Sequence, residues 1–283
     1  MAHTGVGRAV LVVIPARYSS TRFPGKPLAT LNGKPMIWHV YQQCMKAQTV
    51  ADVVVATDDA RIAAACTQWG IPSTMTRDHP TGTDRVAECA QKPEFSHYAG
   101  YINVQGDEPF VSPESIDAVG FALRHQCGDA IAAVNAYCGL REPAEVFDHN
   151  VVKLTLRIDG CALAFSRQPI PYPHTATRPT YYRQLGLYGF TPSGLHTFAT
   201  TTPGSVERAE GIEMLRLLEY GVAVHMVKVD ETGIAVDTPQ DLERAQSLME
   251  KPRVDSGLFK DDRAHHAAGA TAETVRTAGY RGP

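Results

Sequence analysis

The sequence predicts an α/β fold with a mostly parallel central sheet, and three observations carry that expectation. Short apolar runs at Val10 to Ile14, Asp52 to Ala56 and Tyr101 to Val104 read as strands, the first of them buried on both faces. Segments with helical spacing alternate with these runs, the pattern of strands joined by crossover helices. The first and third runs end in loops bearing Gly, Pro and charged residues, where open α/β sheets place their ligands. With 283 residues, 43% hydrophobic and 20% charged, the chain is long enough for one large domain carrying a small lobe.

The elements follow in order. Val10 to Ile14 ends at Pro15, and Pro35 to Ala47 repeats apolar residues at helical spacing with Pro35 suited to a first turn. After the strand at Asp52 to Ala56, Thr57 to Asp59 reads as a cap opening a helix that runs towards Trp69 and closes at Gly70. "IPSTM" reads as a short strand and Asp84 to Gln91 as a short helix. The strand at Tyr101 to Val104 leads into "QGDEP", followed by a helix over Pro113 to His125 and a strand over Ala130 to Asn135. Val151 to Arg157 and Ala162 to Phe165 form a hairpin around Asp159-Gly160. With "LGLYGF" (Leu185 to Phe190), they make a small antiparallel lobe over about residues 151–195 within a domain spanning 1–250. A helical stretch at Val206 to Tyr220, a strand at Ala223 to Val227 and a helix after Asp237 to Pro239 complete the domain, and residues 251–283 read as a flexible tail.

Charge and composition exclude several classes. A net charge of −3 gives no footprint for nucleic acid or an anionic membrane. No apolar run approaches a membrane span, and Ala9 to Ile14 is too short for a signal-peptide core, so a cytoplasmic protein is expected. The six cysteines form no C-x-x-C pair and have no histidine at metal-ligand spacing, which reads as free, mostly buried thiols.

Four segments carry chemistry. "PARYSSTRFPGKPL" sets Arg17, Arg22 and Lys26 on one loop with no acidic residue among them; such cations repel one another unless an anion sits there, and Arg offers paired donors to phosphate. It matches neither the G-x-x-x-x-G-K-[ST] nor the G-x-G-x-x-G loop, so it is a phosphate-loop candidate of another kind. In "VQGDEPF", Asp107 lies past a strand end and is placed to hold Mg²⁺ beside a nucleotide phosphate, with Gly106 allowing close approach; a plain strand-ending turn is the alternative. In "GIAVDTPQDL", Asp237 is either a helix-start residue or a second Mg²⁺ carboxylate. In "PTGTDRVAE", Gly82, Thr83 and Arg85 form a helix start whose amides and guanidinium can also read a base or phosphate.

Taken together, these segments resemble the CMP-Kdo synthetases (3-deoxy-manno-octulosonate cytidylyltransferases). The resemblance also rests on "NGKPMIWHV", "VVVATDD", "NVVKLTL", "FSRQPIP", "LGLYGF", "ERAEGIEMLRLLEYG" and "VDTPQDLERA", and runs from about Val10 to Gln246. It implies a Rossmann-like nucleotidyltransferase fold with a dimerisation lobe, hence a homodimer, and attack of an acceptor oxygen on the α-phosphorus of CTP with release of pyrophosphate. On matching positions, Arg17, Arg22 and Lys26 hold the triphosphate, with Arg17, Lys26 and Asp107 as catalytic residues. Asp107 and Asp237 bind Mg²⁺, and Gly82, Thr83, Arg85 and Gln105 surround the cytidine or the reaction centre.

The implied acceptor contacts are Arg167, Gln184, Tyr188, Glu213 and Met214, and two of them depart from the family pattern. Gln184 stands where the family has His, and Met214 where it has Gln; Met cannot supply an amide's donor and acceptor. Two acceptors are therefore expected in competition, the sugar acid Kdo and a small phosphonate of the phosphonoformate kind. A sugar-nucleotide-binding glycosyltransferase is the alternative from another class, but its Asp-x-Asp signature is replaced by Asp107-Glu108-Pro109. A catalytically dead binding module is disfavoured by the retained loop cations and both aspartates.

Overall fold

The computed structural model describes residues 9–20, 22–127, 131–140, 142–175, 179–230 and 234–250. The expected tail at 251–283 and the strand position Ala130 lie outside the described residues. The strands are β1 (Val10–Ala16), β2 (Thr30–Leu31), β3 (Lys34–Pro35), β4 (Val50–Thr57), β5 (Ser73–Met75), β6 (Gly100–Val104), β7 (Ile131–Gly139), β8 (Lys153–Leu156), β9 (Ala162–Ser166), β10 (Tyr182–Phe190) and β11 (Ala223–Lys228). The helices are α1 (Met36–Cys44), α2 (Ala60–Gln68), α3 (Gly82–Gln91), α4 (Pro113–His125), α5 (Pro192–Thr200), α6 (Ser205–Glu210), α7 (Met214–Glu219) and α8 (Pro239–Glu250).

The central sheet runs in the order β11-β7-β10-β6-β1-β4-β5, with β2 and β3 pairing apart from it. β1 pairs in parallel with β4 and β6, β4 with β5, and β7 with β11, while β10 lies antiparallel between β6 and β7. Strand alternation then fills two cores. Val10, Val12 and Ile14 face one side with Ile37 and Val40 of α1, Ile62 of α2 and Ile116 and Val119 of α4. Leu11 and Val13 face the other with Val86 of α3, Phe198 of α5 and Leu215 and Leu217 of α7. With both faces covered, the sheet leaves its strand ends as the place for a ligand.

Two local features differ from the sequence expectation. The segment Leu187 to Phe190 pairs with β6 inside the central sheet, and only Tyr182 and Arg183 reach β8. The antiparallel lobe is the β8–β9 hairpin joined to the Tyr182–Arg183 end of β10, whose register breaks between Gln184 and Tyr188, while the LGLYGF segment runs within the central sheet. The helical stretch over Val206 to Tyr220 is split into α6 and α7, because Gly211 adopts a left-handed φ of 62° and closes α6.

Candidate active site

Three loops meet around Pro15. The loop after β1 folds back on itself, with the Gly25 amide donating to the Tyr18 carbonyl at 2.9 Å while Gly25 sits at φ 72°. A Cβ on Gly106 would stand 3.0 Å from the Pro15 carbonyl oxygen, and one on Gly82 3.2 Å from the Pro15 ring. Small residues there let the β6–α4 loop and the start of α3 close on β1. The result is a polar cleft of about 270 Å³ bordered by Arg17, Arg22, Lys26, Gln105, Asp107 and Asp237, among others.

Asp107 and Asp237, 130 residues apart in sequence, are joined by the backbone, with the Val236 amide donating to the Asp107 carbonyl at 2.9 Å. Val236 itself is clamped with Leu31, Met36 and Ala245 in a small apolar cluster that seats the start of α8. Lys26 Nζ lies 2.5 Å from Asp107 Oδ2 and 3.0 Å from Asp237 Oδ1, and Arg22 Nη2 lies 3.2 Å from Asp237 Oδ1. This corrects the expectation of cations without carboxylate partners, which fails for Arg22 and Lys26. Two carboxylates brought to one point hold the nearest cations by Coulomb attraction. Arg17 is exposed at the rim and makes no ion pair among the described residues. Burial would lower the Lys26 pKa, but Asp107 and Asp237 outweigh it and the net shift is upward, so Lys26 stays an ammonium at neutral pH.

Two aspartates converging on one cation are an all-oxygen donor set suited to a hard divalent ion, whose remaining positions substrate phosphates can fill. Among the described residues no group of three or more His, Cys, Asp and Glu side chains is placed to hold a metal by itself.

Along the floor runs a chain of hydrogen bonds. Gln105 Nε2 donates to Asn103 Oδ1 at 3.1 Å, Asn103 Nδ2 donates to Thr83 Oγ1 at 3.1 Å, and Thr83 Oγ1 donates to Glu213 Oε2 at 2.5 Å. The Thr83 amide adds a longer bond to the same oxygen at 3.3 Å. Burial raises the Glu213 pKa against these donors. Burial likewise raises that of Tyr188, with the nearby carboxylates of Glu213, Glu108 and Asp107 acting in the same direction. Arg85 is almost fully buried at the cleft wall, and its guanidinium is taken up by Thr76 Oγ1 at 2.5 Å, the Arg77 carbonyl at 3.1 Å and Asp58 Oδ2 at 3.2 Å.

The expected acceptor residues divide. Glu213 lines the cleft, and Tyr188 stands in register with Asn103 on the neighbouring strand. Met214 does not reach the cleft: it is 0% exposed and packed in the core, because it opens α7 on that helix's apolar side. Gln184 lies outside the cleft at the β10 register break, donating to Asn135 Oδ1 at 2.6 Å and lining a separate small cavity with Arg183 and Leu185. Arg167 is committed to the end of α6, donating to the Glu210 carbonyl at 2.6 Å and the His149 carbonyl at 2.7 Å.

Sequence reasoning missed Ser20, His79 and Thr81, which also line the cleft, and Asn103. The signal for Asn103 was present as a polar residue inside an apolar strand, two positions from Gln105 and so on its face.

The cytidylyltransferase family profile matches residues 11–229. A 3-deoxy-manno-octulosonate cytidylyltransferase of Anaeromyxobacter dehalogenans is 43% identical over 247 residues, covering 86% of this chain and 98% of its own. The Escherichia coli protein of the same name is 40% identical over 240 residues, covering 84% and 95%. A solved structure of CMP:2-keto-3-deoxy-manno-octonic acid synthetase complexed with CTP aligns with a TM-score of 0.80 at 38% identity, covering 85% of this chain and 98% of that one.

Proposed function

This chain belongs to the cytidylyltransferase family, and from that premise we propose that it transfers CMP from CTP to 3-deoxy-manno-octulosonate (Kdo) and releases pyrophosphate. The observation that carries the proposal is the convergence of Arg22 and Lys26 with Asp107 and Asp237 at the ends of β1 and β6. In the proposed reaction the anomeric hydroxyl of Kdo gives its proton to solvent and its oxygen bonds to the α-phosphorus, while the bond from that phosphorus to the oxygen bridging to the β-phosphate breaks and pyrophosphate leaves with that oxygen. Such a transfer depends mainly on positioning and on neutralising phosphate charge.

Each group has a place in that scheme. Arg17, Arg22 and Lys26 neutralise the triphosphate, and Lys26 leaves its two aspartates for the phosphates when CTP and metal are present. Asp107 and Asp237 hold Mg²⁺, which when bound supplies charge neutralisation at phosphate oxygens and lowers the pKa of a nearby hydroxyl. Gly82 and Arg85 border the nucleotide, Gln105 stands at the reaction centre and Glu213 faces the acceptor; Thr83, 0% exposed, does not line the cleft and acts by holding Glu213, and Tyr188 stands beside that chain in register with Asn103. The exposed Ile158 and Leu163 on the β8–β9 hairpin support a homodimer. Among the described residues no helix is long and apolar enough to cross a membrane; work in the cytoplasm is part of the same proposal.

Kdo is favoured over a small phosphonate because the two departures from the family pattern, Gln184 and Met214, do not line the cleft. The test is pyrophosphate release by the purified protein with CTP and Mg²⁺, with Kdo and phosphonoformate offered separately. Release with Kdo and formation of CMP-Kdo is expected. Release with phosphonoformate alone overturns the acceptor, and release with neither overturns the transfer.

A further inference from the structure

We propose that Asn103, which does not itself line the cleft, is a positioning residue that fixes the amide of Gln105 so that its carbonyl oxygen selects a hydroxyl donor on the acceptor. The proposal deepens the cytidylyl transfer to Kdo and rests on that reading for its acceptor arm.

Asn103 is 0% exposed in β6, between Val13 of β1 and Tyr188 of β10. An amide in that setting is destabilising unless both its ends are hydrogen-bonded. Its ends are met by Thr83, also 0% exposed, and by Gln105.

The order of donors is fixed by the far end of the chain. Glu213 Oε2 receives both the hydroxyl and the amide of Thr83, so whether ionised or carrying a proton on Oε1 the carboxyl accepts at Oε2, and the single Thr83 hydroxyl proton points to it. Thr83 Oγ1 is then left as an acceptor, which requires the Nδ2 end of Asn103 to face it. Asn103 Oδ1 therefore faces Gln105, and Gln105 turns its Nε2 inward. What remains for the cleft is Gln105 Oε1, a pure acceptor, on a wall shared with Glu213. A ligand hydroxyl can donate to that oxygen, and a ligand group that only accepts meets lone pairs. Sites built to bond a hydroxyl discriminate steeply against ligands lacking it. Because the chain runs to Glu213 and stands in register with Tyr188, its effect falls on the acceptor rather than on CTP.

Two variants and one spectrum test this. Asn103→Leu removes both hydrogen bonds at similar volume. Asn103→Asp, whose carboxyl keeps its proton when buried, retains a donor for Thr83 and an acceptor for Gln105. With CTP, Mg²⁺ and Kdo, Asn103→Leu is expected to raise the KM for Kdo about tenfold or more with the KM for CTP within about twofold, and Asn103→Asp to recover most of the loss. An unchanged KM for Kdo in Asn103→Leu, or an equal rise in both KM values, overturns the proposal. The spectrum needs no acceptor and no variant that folds poorly: in the ¹⁵N-labelled wild-type protein, the Gln105 side-chain amide, assigned by its loss in Gln105→Glu, is expected to exchange its protons more slowly than that of exposed Gln168. Equal exchange overturns the proposal. A slow Gln105 amide in a protein that releases no pyrophosphate from CTP and Kdo upholds the positioning and overturns the function instead.

Discussion

Asp107 and Lys26 are 2.5 Å apart at the cleft, and removing either alters the cleft without touching the core. Asp107→Asn is isosteric and keeps the fold while removing one proposed metal charge; turnover should fall by roughly 100-fold or more, read by pyrophosphate release against an unchanged melting temperature. Met214 makes the opposite case. Its family-like substitution Met214→Gln would bury an amide without partners, which is destabilising by about 1–3 kcal/mol, and should lower the melting temperature while leaving the KM for Kdo unchanged. An improved KM would restore Met214 to the acceptor site. Glu213 gives a pH signature. Its carboxyl holds its proton to higher pH in the folded protein than in the unfolded chain, because burial raises its pKa. Its contribution to stability is therefore full below the unfolded value near 4.5 and is lost as pH rises through the folded one. Glu213→Gln should remove that decline, seen as a flatter melting temperature against pH at the cost of activity.

At the scale of elements, α3, α5, α6 and α7 are tied by one buried guanidinium. Arg216 of α7 is 2% exposed and forks onto Glu207 of α6 at 2.9 and 2.8 Å, while reaching Asp84 of α3 at 3.1 Å and the Phe198 carbonyl of α5 at 3.2 Å. This knot seats the helix that begins just after Glu213 against the helix that carries Thr83. Glu207→Ala leaves the buried cation short of its main partner, and should be destabilising by about 3–5 kcal/mol in a denaturant titration. None of this knot is visible as a pattern in the sequence, since its members are far apart and each reads as an ordinary helix charge. What was legible is explained by local physics. β1 could be read because a strand buried on both faces is a continuous apolar run, and β6 because Asn103 is the one polar side chain that interrupts its apolar run. The start of α2 could be read because Asp59 caps it, accepting from the Arg61 amide at 2.9 Å. β10 was misplaced because "LGLYGF" carries no mark of which strands it joins, and its membership of the central sheet is decided by partners at Val104 and Asn135. Gly211 was legible as a glycine, but not as the left-handed residue that ends α6.

Over the whole molecule, two segments far apart in the chain meet because the parallel topology brings every loop after β1 and β6 to one edge, and α8 returns to close it. The loop cations and the aspartates were each legible as motifs, but their pairing was not, since it depends on the Val236–Asp107 backbone bond that only the folded chain makes. The molecule so assembled has a cationic wall, two carboxylates that converge on one cation, and a polar floor that ends on Glu213. The most direct measurement of the central claim is ³¹P NMR of CTP incubated with the wild-type protein, Mg²⁺ and Kdo. The CTP signals should be replaced by equal amounts of pyrophosphate and a single CMP phosphodiester. Formation of CDP or free phosphate, or CTP left intact, would contradict it.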